Sequence, residues 1–314
     1  MMPSSLRSMR GAWLAARFTA LDRAPFANVL RRPDRAWATG TRAGNRWVHV
    51  DGAELRVRTA GAGERCVVFA IDPPNTVEHY DHLVRELATE HRVVCVELPG
   101  FGFSTAAKAF DFSRAAYTRV VTQMLDALDL PRAVLAFPCI WAYVAIAAAT
   151  AAPRRVAGVV AMQAPCWNDE VAWARRIDSS RLIRKPGIGQ LVMHAMRYRV
   201  AQRWSRAALP KGSPREPFEE PAFAAFAHGA GFALGSLAQV WFGGAAPDLE
   251  APPQRVMSVW GGADRTHRRS RPSSVLDHAP GGQAVVLAEK GHFPELEDPT
   301  SVAAVVRSFA AGAW

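Results

Sequence analysis

The run of residues 133–145 constrains the fold more than any other part of the chain. An apolar stretch suited to a buried strand stops just before Cys139, and an alanine-rich stretch suited to a helix begins immediately after it. A strand that turns directly into a helix holds the corner residue at the helix N-terminus, where free N–H groups and the helix dipole favour negative charge. The pattern therefore predicts that Cys139 is a reactive thiol with a lowered pKa.

Two later segments present an acid and a histidine at comparable corners. Residues 256–261 read as a buried strand, and the Gly-Gly turn that follows presents Asp264. Residues 284–288 read as another strand, and the Gly-His corner after it presents His292. An imidazole can accept the proton of a thiol, and a carboxylate can hold that imidazole in the correct tautomer and stabilise its charge. We therefore expect Cys139, His292 and Asp264 to act as a catalytic triad.

The rest of the chain alternates strand patterns with helical patterns. Further strands are expected at residues 47–50, 55–59, 66–71, 93–98 and 156–162, and helices at residues 78–88, 113–128, 140–149 and 301–311. Such alternation is typical of a mostly parallel sheet that is covered on both faces. Ligands of these sheets bind beyond the carboxyl ends of the strands, which is where the three triad candidates lie.

These segments resemble the α/β-hydrolase superfamily. Cys139 takes the place of the serine in the family's nucleophile elbow, G-x-S-x-G, and the chain order of nucleophile, acid and histidine is the family's order. Residues 99–104 resemble the family's D-x-P-G-x-G-x-S loop, with Glu97 in the aspartate position. Taken singly, a buried cysteine, a turn carboxylate and a surface histidine would explain the three residues. Their joint order favours the triad.

The resemblance implies an α/β-hydrolase fold, with a mostly parallel eight-stranded sheet, helices on both faces and a helical cap inserted after strand six. The core is expected to comprise residues 47–165 and 254–314, and the cap residues 166–253. Residues 1–46 then form a basic N-terminal arm. Within the cap, helical patterns cover residues 169–177, 188–208 and 221–240. A cap over the carboxyl ends would wall the substrate pocket and set its shape.

The predicted elbow departs from the family pattern at its flanks. Phe137 and Trp141 stand where the family has glycines, and we expect both side chains at the pocket. The N–H of Ile140, directly after the nucleophile, is the expected oxyanion donor. The bulky flanks also leave open a body that binds a ligand without catalysis.

A second departure lies after the third strand, where the family has His-Gly-x and the N–H of x binds the oxyanion. Here the x position is Pro73, which has no N–H, and the Asn75 side chain is the candidate replacement. Losing one oxyanion donor costs about 3–4 kcal/mol of transition-state stabilisation. Asp72 would oppose a thiolate at Cys139 unless His292 is protonated. It could also serve as a general acid or base, or cap a following helix.

Positive charge is concentrated in two parts of the chain. Residues 1–46 contain nine arginines and two aspartates, and residues 175–215 contain eleven basic residues and one acid, Asp178. The second segment could receive an acyl carrier protein, the phosphates of coenzyme A or an anionic membrane. A solvated arginine-rich face is the alternative. No zinc-finger spacing or other nucleic-acid motif is present, so nucleic-acid binding is not expected.

The N-terminal arm and the cysteines bear on location. Trp13, Leu14, Phe18 and Leu21 fall at helical spacing, so the arm could lie on a membrane surface or dock on the body of the protein. Arg17 interrupts the short apolar run, which argues against a signal peptide, and no apolar segment is long enough to span a membrane. The four cysteines do not form a disulfide framework, so a reduced, cytoplasmic protein is expected. No cofactor and no metal are predicted.

Three functions fit this constellation. The leading prediction is cysteine-dependent acyl transfer or hydrolysis of a thioester, ester or lactone, on a small acyl substrate that a carrier protein or coenzyme A could hold. Thiol attack on a thioester is nearly balanced in energy, so a weak oxyanion site matters less there. The second function is a lyase or cyclase that uses Asp72 and His292 for proton transfer, with Cys139 as a neutral pocket residue. The third is ligand or partner binding without catalysis.

Overall fold

The computed structural model describes residues 15–243 and 246–313. Within these residues a mixed sheet contains eight long strands: β1 (Asn45–Val50), β2 (Ala53–Ala60), β3 (Cys66–Ala70), β4 (Arg92–Val96), β5 (Ala133–Pro138), β6 (Val156–Met162), β7 (Val256–Gly261) and β8 (Gln283–Leu287). Their spatial order is β1-β2-β4-β3-β5-β6-β7-β8, and a short strand, Thr105–Ala106, pairs with β2. The pairs β1–β2 and β2–β4 are antiparallel. The pairs β4–β3, β3–β5, β5–β6, β6–β7 and β7–β8 are all parallel. The predicted mostly parallel sheet is confirmed.

Helices cover both faces of this sheet. They are α1 (Ala24–Arg31), α2 (Arg35–Gly40), α3 (Asp81–Leu87), α4 (Arg114–Ala127), α5 (Trp141–Ala151), α6 (Trp167–Ile177), α7 (Ile188–Ala208), α8 (Glu216–Ala227), α9 (Leu234–Gly243), α10 (Pro294–Glu297) and α11 (Pro299–Ala311). Single 3₁₀ turns occupy Thr19–Asp22, Val77–Tyr80 and Ser274–His278. Among the described helices, none combines the length and apolarity that crossing a membrane requires.

The strand β3 shows why the central strands read as unbroken apolar runs. Val68 and Ala70 point into the core on the side of α4 and α5, whereas Val67 and Phe69 point into the core on the side of α3 and α11. Side chains alternate between the faces of a strand, so a strand buried on both faces needs apolar residues at every position.

A helical insertion, α6 to α9, lies between β6 and β7, as the pattern predicted. The first two helices match the expected ranges closely. The predicted helix 221–240 is wrong as one element, because α8 ends before Gly229 and α9 begins at Leu234. Gly229 has a φ of +88°, and the following Gly231–Phe232 pairs antiparallel with Phe101–Gly102. This pairing ties the insertion to the loop after β4 and requires extended backbone in the middle of the predicted helix.

Buried charges hold the loop after β4. Glu97, which occupies the aspartate position of the family's loop, accepts the N–H of Phe103 at 2.7 Å and pairs with Arg56 at 3.0 Å. Arg56 also contacts Glu78. Burial raises the pKa of Glu97 to about 6, although the charge of Arg56 opposes this. Glu97 therefore has a structural role in fixing the loop next to the carboxyl ends of the strands.

The described part of the N-terminal arm packs on the cap. The carboxylate of Asp22 accepts the hydroxyl of Ser236 at 2.7 Å, and the ring of Phe18 lies against Gly187. Trp13 and Leu14, which the helical spacing grouped with Phe18, lie outside the described residues. For residues 15–31, docking on the body of the protein is therefore the observed arrangement.

Candidate active site

Cys139 lies at the corner between β5 and α5. Its φ is +51°, a conformation that residues other than glycine rarely adopt. The N–H of Cys139 donates to the carbonyl of Met162 at 2.8 Å, which fixes the corner to the end of β6. The N–H of the next residue, Ile140, belongs to the first turn of α5, where N–H groups lack intrahelical acceptors. A strained backbone held in place by its surroundings in this way is typical of functional sites.

His292 and Asp264 form a buried hydrogen-bonded pair. The imidazole Nδ1 donates to Oδ2 of Asp264 at 2.7 Å. Gln163 Nε2 donates to the same oxygen at 2.8 Å, and the N–H and hydroxyl of Thr266 both donate to Oδ1 at 2.7 Å. Burial alone would raise the pKa of Asp264, but the charge of His292 and these hydrogen bonds lower it to about 2. Asp264 is therefore ionised and fixes the imidazole tautomer.

Asp72 lies on the other side of the same imidazole. Its Oδ2 is 3.4 Å from Nε2 of His292, and a carboxylate oxygen of Asp72, Sγ of Cys139 and a ring nitrogen of His292 lie within 4.8 Å of one another. Burial raises the pKa of Asp72, although His292 opposes this shift. Burial by itself would lower the pKa of His292, but the carboxylate of Asp264 and hydrogen bonding outweigh it and raise the pKa well above its usual value.

The prediction of a lowered thiol pKa at Cys139 is wrong. Burial raises the pKa of this thiol, and the nearby carboxyl groups of Asp72 and Glu170 raise it further. Hydrogen bonding to His292 and the charge of its ring lower the pKa but do not compensate. Cys139 is thus a neutral thiol.

A cavity of about 410 Å³ lies between Cys139 and the cap, and neither His292 nor Asp264 lines it. Most of its wall is apolar and comes from the cap, including Trp173, Met193, Met196, Val200, Trp204 and Leu237, while Asp72, Pro73, Cys139, Ile140 and Trp141 form its inner end. The cavity places the thiol at the inner end of an apolar chamber that is suited to a hydrophobic ligand.

Two residues predicted for the pocket do not line this cavity. Phe137 is wholly buried, because its side chain packs in the core on the side of α4 and α5. Asn75 is also buried and lies outside the lining, although its backbone N–H donates to the carbonyl of Asp72. Its Nδ2 finds no acceptor within residues 15–243 and 246–313. Pro73 does line the cavity, and it offers no N–H there.

Sequence reasoning missed two buried carboxyl groups near Cys139 and His292. Glu170, on α6, has no hydrogen-bond partner for either oxygen in the part of the chain that the structure describes, and burial raises its pKa to about 8. Glu295 accepts the hydroxyl of Tyr80 at 3.0 Å, and burial raises its pKa to about 8 as well. Glu295 lies three residues after His292, and this short spacing in the sequence was a sign that the two side chains could be near each other. No pattern in the cap singles out Glu170.

Aromatic rings from the cap and from the loop after β7 pack around His292. Trp204 meets its ring edge-on with centroids 4.8 Å apart, and His267 stacks on it at 5.4 Å. Trp173 in turn stacks on His267 at 4.9 Å. Burial lowers the pKa of His267 to about 3, so this ring is neutral.

Among the residues that the structure describes, two groups of donor atoms are close enough together to consider metal binding. They are Asp72, Cys139 and His292, and Asp264, His267 and His292. In the second group, the hydrogen bond from His292 to Asp264 already accounts for the short distance. The first group is the thiol of Cys139 with the carboxyl group of Asp72 and the imidazole of His292, all three buried.

Known proteins share the fold of this chain. The family model described as "Alpha/beta hydrolase family" matches residues 73–305. A comparison with curated protein sequences finds no match. Among solved structures, the chain is similar to epoxide hydrolase A from Mycobacterium thermoresistibile, with 20% identity and a TM-score of 0.71 over 86% of this chain and 98% of that one.

Two further structures show the same fold. A putative epoxide hydrolase from Pseudomonas aeruginosa is 18% identical with a TM-score of 0.70, over 86% of this chain and 95% of that one. A structure described as a membrane phospholipase A, a bacterial virulence factor, is 19% identical with a TM-score of 0.66, over 91% and 92% of the two chains. At these identities the similarity establishes the fold.

Proposed function

The chain belongs to the alpha/beta hydrolase family, and we propose that it transfers the acyl group of an apolar thioester, ester or lactone to water through Cys139. The observation that carries the proposal is the position of Cys139, at a positive-φ corner within 4.8 Å of an imidazole nitrogen of His292. Asp264 orients that imidazole through a 2.7 Å hydrogen bond. Nucleophile, base and orienting acid thus occupy the three roles that covalent catalysis requires.

The reaction proceeds through two acyl transfers. Neutral His292 accepts the thiol proton at Nε2 while Sγ of Cys139 forms a bond to the carbonyl carbon. The N–H of Ile140 donates to the developing oxyanion. Collapse of the tetrahedral intermediate breaks the bond to the leaving group, which receives the proton from His292. Water, activated by His292, then cleaves the thioester to Cys139 and releases the carboxylic acid and the free thiol.

The cysteine itself favours acyl chemistry over ring opening. Several structures with this fold are described as epoxide hydrolases. Attack of a thiolate on an epoxide would leave a thioether, which water does not cleave, so the enzyme would be trapped after one turnover. Attack on an acyl carbon leaves a thioester, which water can cleave. The apolar cavity above Cys139 supports an acyl chain as the bound group.

A specific contact favours a second candidate, a lyase or cyclase. Asp72 Oδ2 faces Nε2 of His292 at 3.4 Å, and Cys139 is a thiol whose pKa burial raises. In this reaction Asp72 and His292 would move a proton on the substrate, and Cys139 would be a neutral wall of the cavity.

The decisive experiment is mass spectrometry of the protein after brief incubation with a panel of acyl-thioesters and activated esters. Acyl transfer predicts an added acyl mass on the peptide that contains Cys139, and its loss in Cys139→Ala. Cys166→Ser is the matched control, because Cys166 is the more exposed thiol and reports adventitious acylation. A healthy Cys139→Ala enzyme together with an inactive Asp72→Asn enzyme would instead establish proton-transfer chemistry.

A further inference from the structure

Exposed apolar side chains are concentrated in one region. Of the ten large hydrophobic side chains exposed among the described residues, nine come from the N-terminal arm or from the cap segment 177–198. These nine are Phe18, Phe26, Val29, Leu30, Ile177, Leu182, Ile188, Leu191 and Tyr198, whereas the tenth, Val286, lies on β8. Single exposed apolar residues are ordinary, but such a concentration marks an interaction surface.

Contacts join several of these side chains into one surface. The ring of Phe18 lies against Gly187, next to Ile188 at the start of α7. Leu191 lines a shallow groove together with Phe26 and Leu30 of α1. Ile188, Leu191 and Tyr198 also fall at helical spacing, so they share the exposed face of α7. We call Phe18, Phe26, Leu30, Ile188 and Leu191 the apolar patch.

Exposed basic side chains lie on the same segment of the cap as Ile188 and Leu191 of the apolar patch. Arg175, Arg181 and Lys185 are exposed before α7, and Arg199 and Arg203 are exposed along its second half. The one acid of residues 175–215, Asp178, is buried and pairs with Arg184 at 3.0 Å. The exposed basic charges of residues 175–215 are therefore not balanced by an exposed carboxylate within that segment.

We propose that the apolar patch docks the protein on an anionic lipid bilayer. Apolar side chains surrounded by Lys and Arg match the two terms of interfacial binding, namely burial among acyl chains and attraction to anionic headgroups. Ile177 and Leu182, from the same cap segment, are both exposed and line the cavity, so the cavity reaches the surface at this segment. The proposal does not depend on the reaction at Cys139, because it concerns where the protein binds.

Co-flotation of the full-length protein with lipid vesicles tests the proposal. The protein should bind vesicles of phosphatidylcholine and phosphatidylglycerol several-fold more strongly than vesicles of phosphatidylcholine alone. The difference should shrink at high salt, because the Debye length falls from about 10 Å at 0.1 M to about 3 Å at 1 M ionic strength. Equal binding to both kinds of vesicle, or binding to neither, would overturn the proposal.

Paired variants separate the apolar and the electrostatic contributions. Leu191→Glu should lower vesicle binding about tenfold or more, whereas Val286→Glu, the matched exposed control on β8, should leave it unchanged. The double reversal Lys185→Glu and Arg199→Glu should lower binding to anionic vesicles by about tenfold or more. The control is the double variant Arg65→Glu and Arg154→Glu. These exposed residues lie just before β3 and β6, at the amino ends of the strands.

Light scattering in solution addresses the other occupants of this surface. If the wild type is a dimer that Leu191→Glu converts to a monomer, and Leu191→Glu binds vesicles as well as the wild type does, the surface is a contact between two copies. An acidic carrier protein that binds tightly while no vesicle does would identify a protein partner. Either result overturns the bilayer proposal.

Discussion

Nε2 of His292 faces Oδ2 of Asp72 at 3.4 Å, while Nδ1 of the same ring donates to Asp264 at 2.7 Å. The imidazole therefore lies between two buried carboxyl groups, and a proton on this ring is stabilised from both sides. Because the pKa of His292 is raised, the ring becomes a base only at pH values above that raised pKa. The same arrangement disfavours a thiolate at Cys139, since Asp72 adds negative charge beside it.

The first prediction concerns the pH dependence of acyl transfer. The rate should rise with pH as His292 loses its proton, and Asp72→Asn should shift the profile to lower pH. Removing the carboxylate of Asp72 takes away a charge that stabilises the imidazolium, so the pKa of His292 falls. The same change takes away a negative charge that opposes a thiolate at Cys139. The measurement is kcat/KM against pH for an activated thioester, together with iodoacetamide labelling of Cys139.

Under the acyl-transfer mechanism, Asp72→Asn retains or increases the maximal rate. Under the lyase or cyclase mechanism, the same change removes a proton-transfer group, and turnover falls by about 10²-fold. An unshifted pH profile in the variant would contradict the electrostatic coupling between Asp72 and His292.

The second prediction concerns Gln163, which follows β6 in a positive-φ conformation. Its Oε1 accepts the N–H of Gly261 at 2.7 Å while its Nε2 donates to Asp264. In Gln163→Leu, the N–H of Gly261 and the carboxylate of Asp264 stay buried but lose their hydrogen bonds to residue 163. This loss should lower the free energy of unfolding by about 2–4 kcal/mol. Since the orientation of Asp264 loosens, kcat should fall with little change in KM. Urea unfolding and steady-state kinetics test this, with the exposed Gln283→Leu as the control.

The third prediction uses Glu170 as a reporter of burial. Its pKa is about 8 in the folded protein and near 4.5 when exposed, so folding opposes its ionisation between these values. Stability of the wild type is therefore lost as pH rises from about 4.5 to about 8. Glu170→Gln should be more stable than the wild type by an amount that grows over this window and is constant above it, on the order of a few kcal/mol at most.

Glu78→Gln provides the contrast, because the pKa of Glu78 is shifted in the opposite direction. Burial alone would raise it, but Arg56 lowers it to about 2. This change should destabilise the protein by a nearly constant amount from pH 5 to pH 8. Parallel curves for Glu170→Gln and the wild type across that range would show that Glu170 is hydrated rather than buried.

The fourth prediction concerns the cavity as the acyl site. Val200 lines the cavity on α7, and Val200→Trp should shorten it. We expect kcat/KM for long acyl chains to fall by about tenfold or more, while short acyl chains are affected little, because an overfilled pocket excludes only the longer group. Met196→Trp, on the same wall, should give the same trend, and Val286→Trp on β8 should give none. Equal losses for short and long chains would point to misfolding instead.

The sequence alone predicted the elements and the corners that they form. Strands such as β3 are recognisable because burial on both faces requires apolar residues at every position. Cys139, Asp264 and His292 were found because each follows a strand at a turn, and because their order along the chain matched the hydrolase pattern. The helix predicted at residues 221–240 was wrong, since the pairing of Gly231–Phe232 with a distant loop is not encoded in local periodicity.

Only the tertiary structure decided the charge states of the site. The sequence suggested that a helix N-terminus would lower the pKa of Cys139, but burial and the carboxyl groups of Asp72 and Glu170, which come from separate parts of the chain, reverse the sign. Gln163, which follows β6, likewise donates to Asp264, which follows the neighbouring strand β7. Local pattern determines where helices and strands begin and end, because it reflects backbone and burial preferences of neighbouring residues. Ionisation depends on desolvation and on charges brought together by folding, so it is set by the three-dimensional arrangement.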